Sequence, residues 1–205
     1  LKSLDIRAFA GDKHRSVDAP PVGGGPGMVL RPDVMDAALA SIDKLPGRRI
    51  YLSPRGKCFD QSVAEALVED PGVVLICGRF EGLDQRLIDA RKLEEISLGD
   101  YVLSGGEIAS LAVLDTCVRL LPGVLGSKEG LKEESFTKGL LEYPLYTQPR
   151  EWEGKTVPEV LLSGHHGDIK TWQQQQSEMV TRDRRPDLWA RYRKKVEYGK
   201  VSSIE

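Results

Sequence analysis

What most constrains this chain is a rhythm: short apolar runs, each halted by a glycine turn and followed by a helical stretch. Gly72-Val73-Val74-Leu75-Ile76-Cys77 is unbroken apolar sequence. Its length and branched content predict a strand covered on both faces, as in a parallel sheet. It halts at Gly78-Arg79-Phe80-Glu81-Gly82. Arg49-Ile50-Tyr51-Leu52 predicts a second short strand, ending at Ser53-Pro54-Arg55-Gly56. Glu94-Glu95-Ile96-Ser97-Leu98 leads into a third glycine turn, Gly99-Asp100-Tyr101-Val102-Leu103-Ser104-Gly105-Gly106-Glu107. Residues 32–42, 61–68, 83–91 and 108–121 read as helices, the last strongly apolar and closed by Pro122-Gly123. Strand and helix in alternation predict an α/β fold with a largely parallel sheet. In such sheets ligands bind at the carboxyl ends of strands. One glycine loop merely turns the chain; three together predict a pocket lined by backbone amides and carbonyls.

The flanks are less regular. Leu4-Asp5-Ile6-Arg7-Ala8-Phe9 alternates apolar and charged residues and predicts a half-buried strand. Pro20-Pro21-Val22-Gly23-Gly24-Gly25-Pro26-Gly27-Met28 excludes regular structure, because proline lacks a donor and glycine opens backbone angles closed to other residues. Residues 126–137 are polar and aperiodic and read as a linker. From Asp168 onward the pattern is helical and rich in charge, with Gln173-Gln174-Gln175-Gln176 as a solvated helix face. The division expected is residues 1–125, a linker at 126–137, and a small second domain at 138–205.

With 40% hydrophobic and 29% charged residues, the balance is that of an ordinary globular protein. A net charge of -2 gives no bulk support for a nucleic-acid partner, so any such partner must meet a local patch. Arg182, Arg184, Arg185, Arg191, Arg193, Lys194 and Lys195 form one, with Asp183 and Asp187 among them. A phosphate-binding surface and a solvated helix face both fit that pattern. Cys58, Cys77 and Cys117 are too few and too scattered for a disulfide framework or a zinc site, which predicts reduced, mostly buried thiols in a cytoplasmic protein. No apolar run is long enough to span a membrane. The chain starts at Leu1 rather than Met and is read as lacking its natural start.

No generic motif is present. No Gly-Lys-Ser/Thr follows the residue 23–27 run, no Gly-x-Gly-x-x-Gly follows a strand, and there is no His-Glu-x-x-His or nucleophile elbow. A specific resemblance is. His14-Arg15-Ser16-Val17-Asp18 with Gly23-Gly24-Gly25-Pro26-Gly27-Met28 resembles the bacterial tRNA (guanine-N1)-methyltransferase, or TrmD, family. So do Tyr51-Leu52-Ser53-Pro54, Cys77-Gly78-Arg79-Phe80-Glu81-Gly82 with Asp84 and Arg86, and the block from Gly99 to Glu107. Pro122-Gly123-Val124-Leu125-Gly126, Ser135-Phe136, Gly139-Leu140-Leu141, Tyr146-Thr147-Gln148-Pro149, Leu162-Ser163-Gly164, His166, Trp172 and Arg184-Arg185-Pro186 follow in family order.

The resemblance implies a SPOUT-class methyltransferase with a deep trefoil knot, a small helical C-terminal domain that binds tRNA, and a homodimer whose active sites are shared between subunits. Knots are rare enough that this one rests on resemblance alone. The same resemblance implies that a first strand and helix are absent from the N-terminus. It implies methyl transfer from S-adenosylmethionine to N1 of the guanine 3′ of the anticodon, position thirty-seven, in support of reading-frame maintenance. Magnesium is implied too, without ligand spacing to place it.

By resemblance the donor contacts Tyr51, Leu52, Ser53 and Pro54 in the first loop, and Gly78, Glu81 and Gly82 in the second. In the third it contacts Ser97, Leu98, Gly99, Tyr101, Leu103, Gly105 and Gly106. Guanine N1 is protonated at neutral pH, so a base must take that proton and a donor must steady O6. Glu134 matches the family's linker aspartate, with a longer side chain, and Glu133 is the alternative. Arg119 matches the catalytic arginine; by itself it is also a plain helix-terminus cation. Gly23, Gly24, Gly25 and Pro26 are expected on the guanine side, and His14, Arg15, His166, Arg184 and Arg185 on the tRNA. Where the family carries Trp-Arg, this chain has Trp172-Gln173. Two other readings compete: a SPOUT enzyme with another target nucleotide, and a non-catalytic RNA-binding or adenosine-sensing module.

Overall fold

The computed structural model describes residues 1–125, 130 and 133–201, without the side chains of 198–201. Of the expected linker, residues 126–129, 131 and 132 lie outside the described residues. The chain divides into two compact units, Leu1–Leu125 and Gly126–Glu205.

The first unit is a mixed α/β structure around a parallel sheet. Strands β1 (Asp18–Ala19) and β2 (Val29–Leu30) form a small antiparallel pair. Helix α1 (Pro32–Ala40) follows, then β3 (Arg48–Cys58), α2 (Gln61–Glu69), β4 (Val73–Ile76), α3 (Gln85–Arg91), β5 (Glu94–Ser97) and α4 (Gly106–Val118). The parallel sheet runs β4-β3-β5. Local chemistry sets the helix starts. Pro32, with its fixed φ, opens α1; the Asp60 carboxylate accepts from Val63 N to cap α2; and Asp84 accepts from Arg86 N to cap α3.

Side-chain alternation along β3 divides the core. Tyr51 joins Val34, Leu39, Ile76, Leu83 and Leu87 on the face covered by α1 and α3. Ile50 and Leu52 join Leu67, Ile96, Ala109 and Val113 on the face covered by α2 and α4. Full burial of a residue such as Ile50 contributes about 1.5–3 kcal/mol.

Three expectations need correction. Residues 4–9 are not a strand: Ile6–Phe9 form one 3₁₀ turn, capped by the Asp5 carboxylate accepting from Arg7 N at 2.9 Å. That local bond overrides the alternating pattern. β4 is covered on both faces as expected, with Val74 and Ile76 on one core face and Val73 and Leu75 on the other, and Ile76 its one buried residue because β4 lies at the sheet edge. Strand β3 does not end at Leu52 but continues to Cys58. Cys58, its last residue, is exposed, and Cys77 and Cys117 are only partly buried; burial raises the Cys117 thiol pKa.

In the second unit, a two-stranded hairpin of β6 (Glu151–Trp152) and β7 (Lys155–Thr156) precedes α5 (Glu159–Leu162), α6 (His166–Arg184) and α7 (Pro186–Val201). Thr181, fully buried on α6, donates to Ser177 O at 2.6 Å and accepts from Leu141 N at 2.8 Å. It thereby fastens the segment around Leu140 to the helix. Of the glutamine run, Gln174 and Gln175 are exposed but Gln173 and Gln176 are half-buried, so the run is not wholly a solvated face.

Candidate functional site

The first wall of the site is a detour within β3. Ile96 pairs with Leu52 and again with Lys57, so residues 53–56 leave the sheet and return to the same partner. A Cβ on Gly56 would lie 2.3 Å from the Glu95 carbonyl carbon and from Ile96 N. Only glycine lets the returning backbone settle that close to β5. Within the detour, Arg55 N donates to Ser53 Oγ at 3.2 Å, and Arg55 Nη1 donates to Gln85 Oε1 at 3.2 Å.

The second wall is the turn after β4, and Tyr51 supports it from beneath. Tyr51 is 5% exposed. Its hydroxyl accepts from Leu83 N at 3.3 Å, and burial raises its pKa. Cβ atoms added at Gly78 and Gly82 would stand 2.9 Å and 2.4 Å from the Tyr51 ring edge and hydroxyl. Phe80, in the left-handed region at φ 56°, is 64% exposed at the turn's tip. Leu30 N donates to Gly82 O, and Glu81 N to Met28 O, which ties this turn to β2.

The third wall follows β5. Ser97 Oγ both donates to Gly99 O and accepts from Gly99 N, each at 3.2 Å. Gly106 N donates to Gly78 O at 2.8 Å, and Arg79 Nε to Glu107 Oε1 at 2.8 Å, so the second and third loops are bonded to each other. Between the walls lies an open cavity of about 470 Å³. That volume and its mainly apolar and backbone lining suit a small-molecule ligand.

All fourteen residues expected to meet a donor line this cavity: Tyr51, Leu52, Ser53, Pro54, Gly78, Glu81, Gly82, Ser97, Leu98, Gly99, Tyr101, Leu103, Gly105 and Gly106. Arg55, Phe80 and Gln85 line it too and were not anticipated. The first two sit inside glycine-turn blocks, which was the available signal; Gln85 opens a helix and carried none. Arg55 and Glu81 are the charged side chains on the lining.

The other expected residues are dispersed. Gly23, Gly24, Gly25 and Pro26 lie exposed in the loop joining β1 to β2, the three glycines all at positive φ. They do not line the cavity, although the Glu81 side chain lies against Gly27, whose Cβ would fall 2.3 Å from Glu81 Oε1. His14 and Arg15 are exposed upstream, with Arg15 at φ 51°. Arg119 caps the C-terminus of α4 and is partly buried.

In the second unit, Glu134 lines a polar cavity of about 420 Å³ with Glu133, Lys138, Tyr143, Lys170 and Gln173. Both oxygens of Glu133 accept from Lys138 Nζ, at 3.1 and 3.2 Å. Burial, then the nearby carboxylates of Glu133 and Glu142, raise the Tyr143 pKa. His166 is the exposed first residue of α6, and Arg184 is its last. Arg185 is engaged with Asp187, Arg182 with Asp183, and Arg193 with Glu197. Arg184, Arg191, Lys194 and Lys195 form no ion pair among the described residues.

Residues 1–191 match the family described as tRNA (Guanine-1)-methyltransferase TrmD. Relatives named tRNA (guanine-N(1)-)-methyltransferase include one from Rhodospirillum rubrum, 57% identical over 192 residues, or 94% of this chain and 80% of the relative. One from Rhodopseudomonas palustris is 58% identical over 191 residues, 93% of this chain and 76% of its own. One from Bartonella tribocorum is 57% identical over 196 residues, covering 95% and 83%.

Proposed function

This chain belongs to the tRNA (guanine-1)-methyltransferase TrmD family, and we propose that it moves a methyl group from S-adenosylmethionine to N1 of the guanine 3′ of the anticodon, position thirty-seven, in tRNA, in support of reading-frame maintenance. The observation that carries this reading is the convergence of all fourteen expected donor contacts, drawn from three separate loops, on one cavity.

The cavity fits such a donor. Its glycines expose backbone groups that can hydrogen-bond an adenine edge, and Leu52, Leu98 and Leu103 supply apolar surface. S-adenosylmethionine supplies a methyl group already activated by its sulfonium, so the protein contributes alignment above all. Glu134 takes the N1 proton of guanine as the methyl arrives, and Arg119 donates to O6 as charge develops there. Glu133, whose carboxylate accepts from Lys138, is the alternative base. Gly23, Gly24, Gly25 and Pro26 close over the guanine. His14, Arg15, His166, Arg184 and Arg185 meet tRNA phosphates, together with Arg191, Lys194 and Lys195. The first unit is then the donor-binding domain, with the trefoil knot of the SPOUT class, and the second the helical tRNA-binding domain.

Helix α4 supports a homodimer. It buries Ala109 and Val113 inward while Ile108 and Leu111 stay 63% and 59% exposed. With Val118 and Leu121 they make a stripe whose natural cover is a second copy of the chain, which lets catalytic groups come from two subunits. Magnesium is expected from the family alone; among the described residues no group of three or more His, Cys, Asp or Glu is arranged to hold a metal. Action on tRNA places the chain in the cytoplasm; among the described residues no helix is long and apolar enough to cross a membrane.

The test is transfer of labelled methyl from S-adenosylmethionine, with magnesium, to a tRNA carrying the target guanine and to one with adenine in its place. Label as 1-methylguanine in the first alone is expected. Glu134→Gln should lower turnover at least 100-fold while donor binding persists. Donor binding without transfer to either tRNA would refute the target.

A further inference from the structure

The β6–β7 hairpin has no role in the reading above, and its chemistry is sorted by face. Trp152 pairs with Lys155, Glu151 with Thr156, and Val157 N donates to Arg150 O at 2.9 Å. Successive side chains on a strand point to opposite faces. One face therefore carries Arg150, Trp152 and Lys155, and the other Glu151 and Thr156. Lys155 Nζ sits 5.9 Å from the Trp152 ring centroid. The turn residues Glu153 and Gly154 both have positive φ, 49° and 72°, the geometry of a tight two-residue hairpin that fixes how the strands present their faces.

Every residue of the hairpin is exposed, and Trp152 keeps 59% of its surface in contact with solvent. Neither Arg150 nor Lys155 forms an ion pair among the described residues. A large aromatic flanked by two unneutralised cations, with the Glu151 carboxylate on the opposite face and Glu153 in the turn, matches a nucleotide: a π-face to stack on and charge for its phosphates. A protein partner would gain from the apolar ring but not from two cations beside it.

We propose that this face is an RNA-binding platform, on which an unpaired base of the tRNA stacks on Trp152 while Arg150 and Lys155 meet the adjoining phosphates. The proposal rests on the tRNA methyltransferase reading and adds a subsite to it. Unpaired loop nucleotides are the suitable occupant, because their bases can be splayed out to stack on an aromatic ring.

The experiment is equilibrium binding of the full chain to tRNA at several salt concentrations, beside circular-dichroism melting and sedimentation. Trp152→Ala should weaken binding roughly 5- to 100-fold with melting unchanged, and Trp152→Phe should recover most of the loss. Arg150→Ala and Lys155→Ala should each reduce the slope of log affinity against log salt by about 1. Should Trp152→Ala fail to fold, the Phe and cation variants carry the test. Wild type that binds tRNA no more tightly than Trp152→Ala overturns the platform and leaves the family activity standing. Wild type that binds no tRNA overturns both. A loss of affinity that appears only because Trp152→Ala dissociates an oligomer overturns the platform in favour of a protein interface.

Discussion

Gly106→Ala should open the site from its hinge. An added Cβ would stand 2.7 Å from Cys77 Cα, 3.0 Å from Gly78 N and 3.2 Å from Cys77 C. All three are backbone atoms, so no side chain can swing aside. Carbon atoms pack at about 3.5–4.0 Å, so α4 and the end of β4 must part by about 1 Å. That parting stretches the bond from Gly106 N to Gly78 O, now 2.8 Å. Overpacking of this kind costs about 1–3 kcal/mol. The weakened hydrogen bond adds about 0.5–1.5 kcal/mol. Better helix propensity of alanine returns about 1 kcal/mol, so the net loss is about 0.5–3.5 kcal/mol. For a chain of this size each kcal/mol lowers Tm by about 2–4 °C, giving a drop of roughly 1–14 °C. Because Gly78 and Gly106 both line the cavity, affinity for S-adenosylmethionine should fall at least about tenfold, the equivalent of 1.4 kcal/mol. Thermal unfolding and calorimetric titration read the two effects. Gly11→Ala, with no atom within 4 Å of its added Cβ, should change neither. A Gly106→Ala protein that melts and binds donor like Gly11→Ala would refute the reasoning.

Tyr51→Phe keeps the ring under the second loop but leaves Leu83 N–H buried without its acceptor. Stability should fall by about 1–3 kcal/mol in denaturant titration, and an unchanged midpoint would show that the bond contributes nothing. Leu111→Asp, on the exposed face of α4, should shift sedimentation from dimer to monomer with the monomer still folded. A dimer that survives the charge would exclude that face as the interface. The hydrogen bond from Arg185 holds the Asp187 carboxyl down at about 2. A depressed folded-state pKa stabilises fully above the unfolded value of about 3.9 and is lost as pH falls through about 2. An NMR titration should therefore find Asp187 ionised at pH 3, whereas ionisation near 4 would deny the pairing in solution.

The glycine loops were legible in the sequence because punctuation is local: glycine after an apolar run marks where the chain leaves the sheet, as it does at Gly78 and Gly99. The helices between them were legible through the spacing of their apolar residues, whereas the caps at Asp60 and Asp84 emerge only from the structure, which starts α3 at Gln85 rather than at Leu83. What escaped was set by distant or very short contacts. The return of β3 at Lys57 depends on Gly56 meeting the backbone of β5, some forty residues later in the chain. Residues 4–9 alternated like a strand, yet one Asp5 carboxylate was enough to turn them. Strands β1 and β2, two residues each, are too short for any periodicity to reveal. Trp152 stood in a stretch without rhythm, and only the hairpin register shows which cations share its face.

The detour in β3 has a consequence for how this protein can change. Its two ends answer to one residue, Ile96, so its length is counted rather than merely allowed. Identity at an exposed position such as Pro54 is comparatively free; number is not. The detour's far end is held by Gly56, packed against the backbone of β5, so a change of length must still bring a glycine to that spot. A family of enzymes built this way can alter what its pocket prefers by exchanging side chains along that wall, but it cannot widen the pocket there by growing the loop. An insertion scan across residues 53–55 should accordingly find substitutions tolerated and changes of length rejected, unlike residues 23–25 between β1 and β2, whose glycines stand in open solvent.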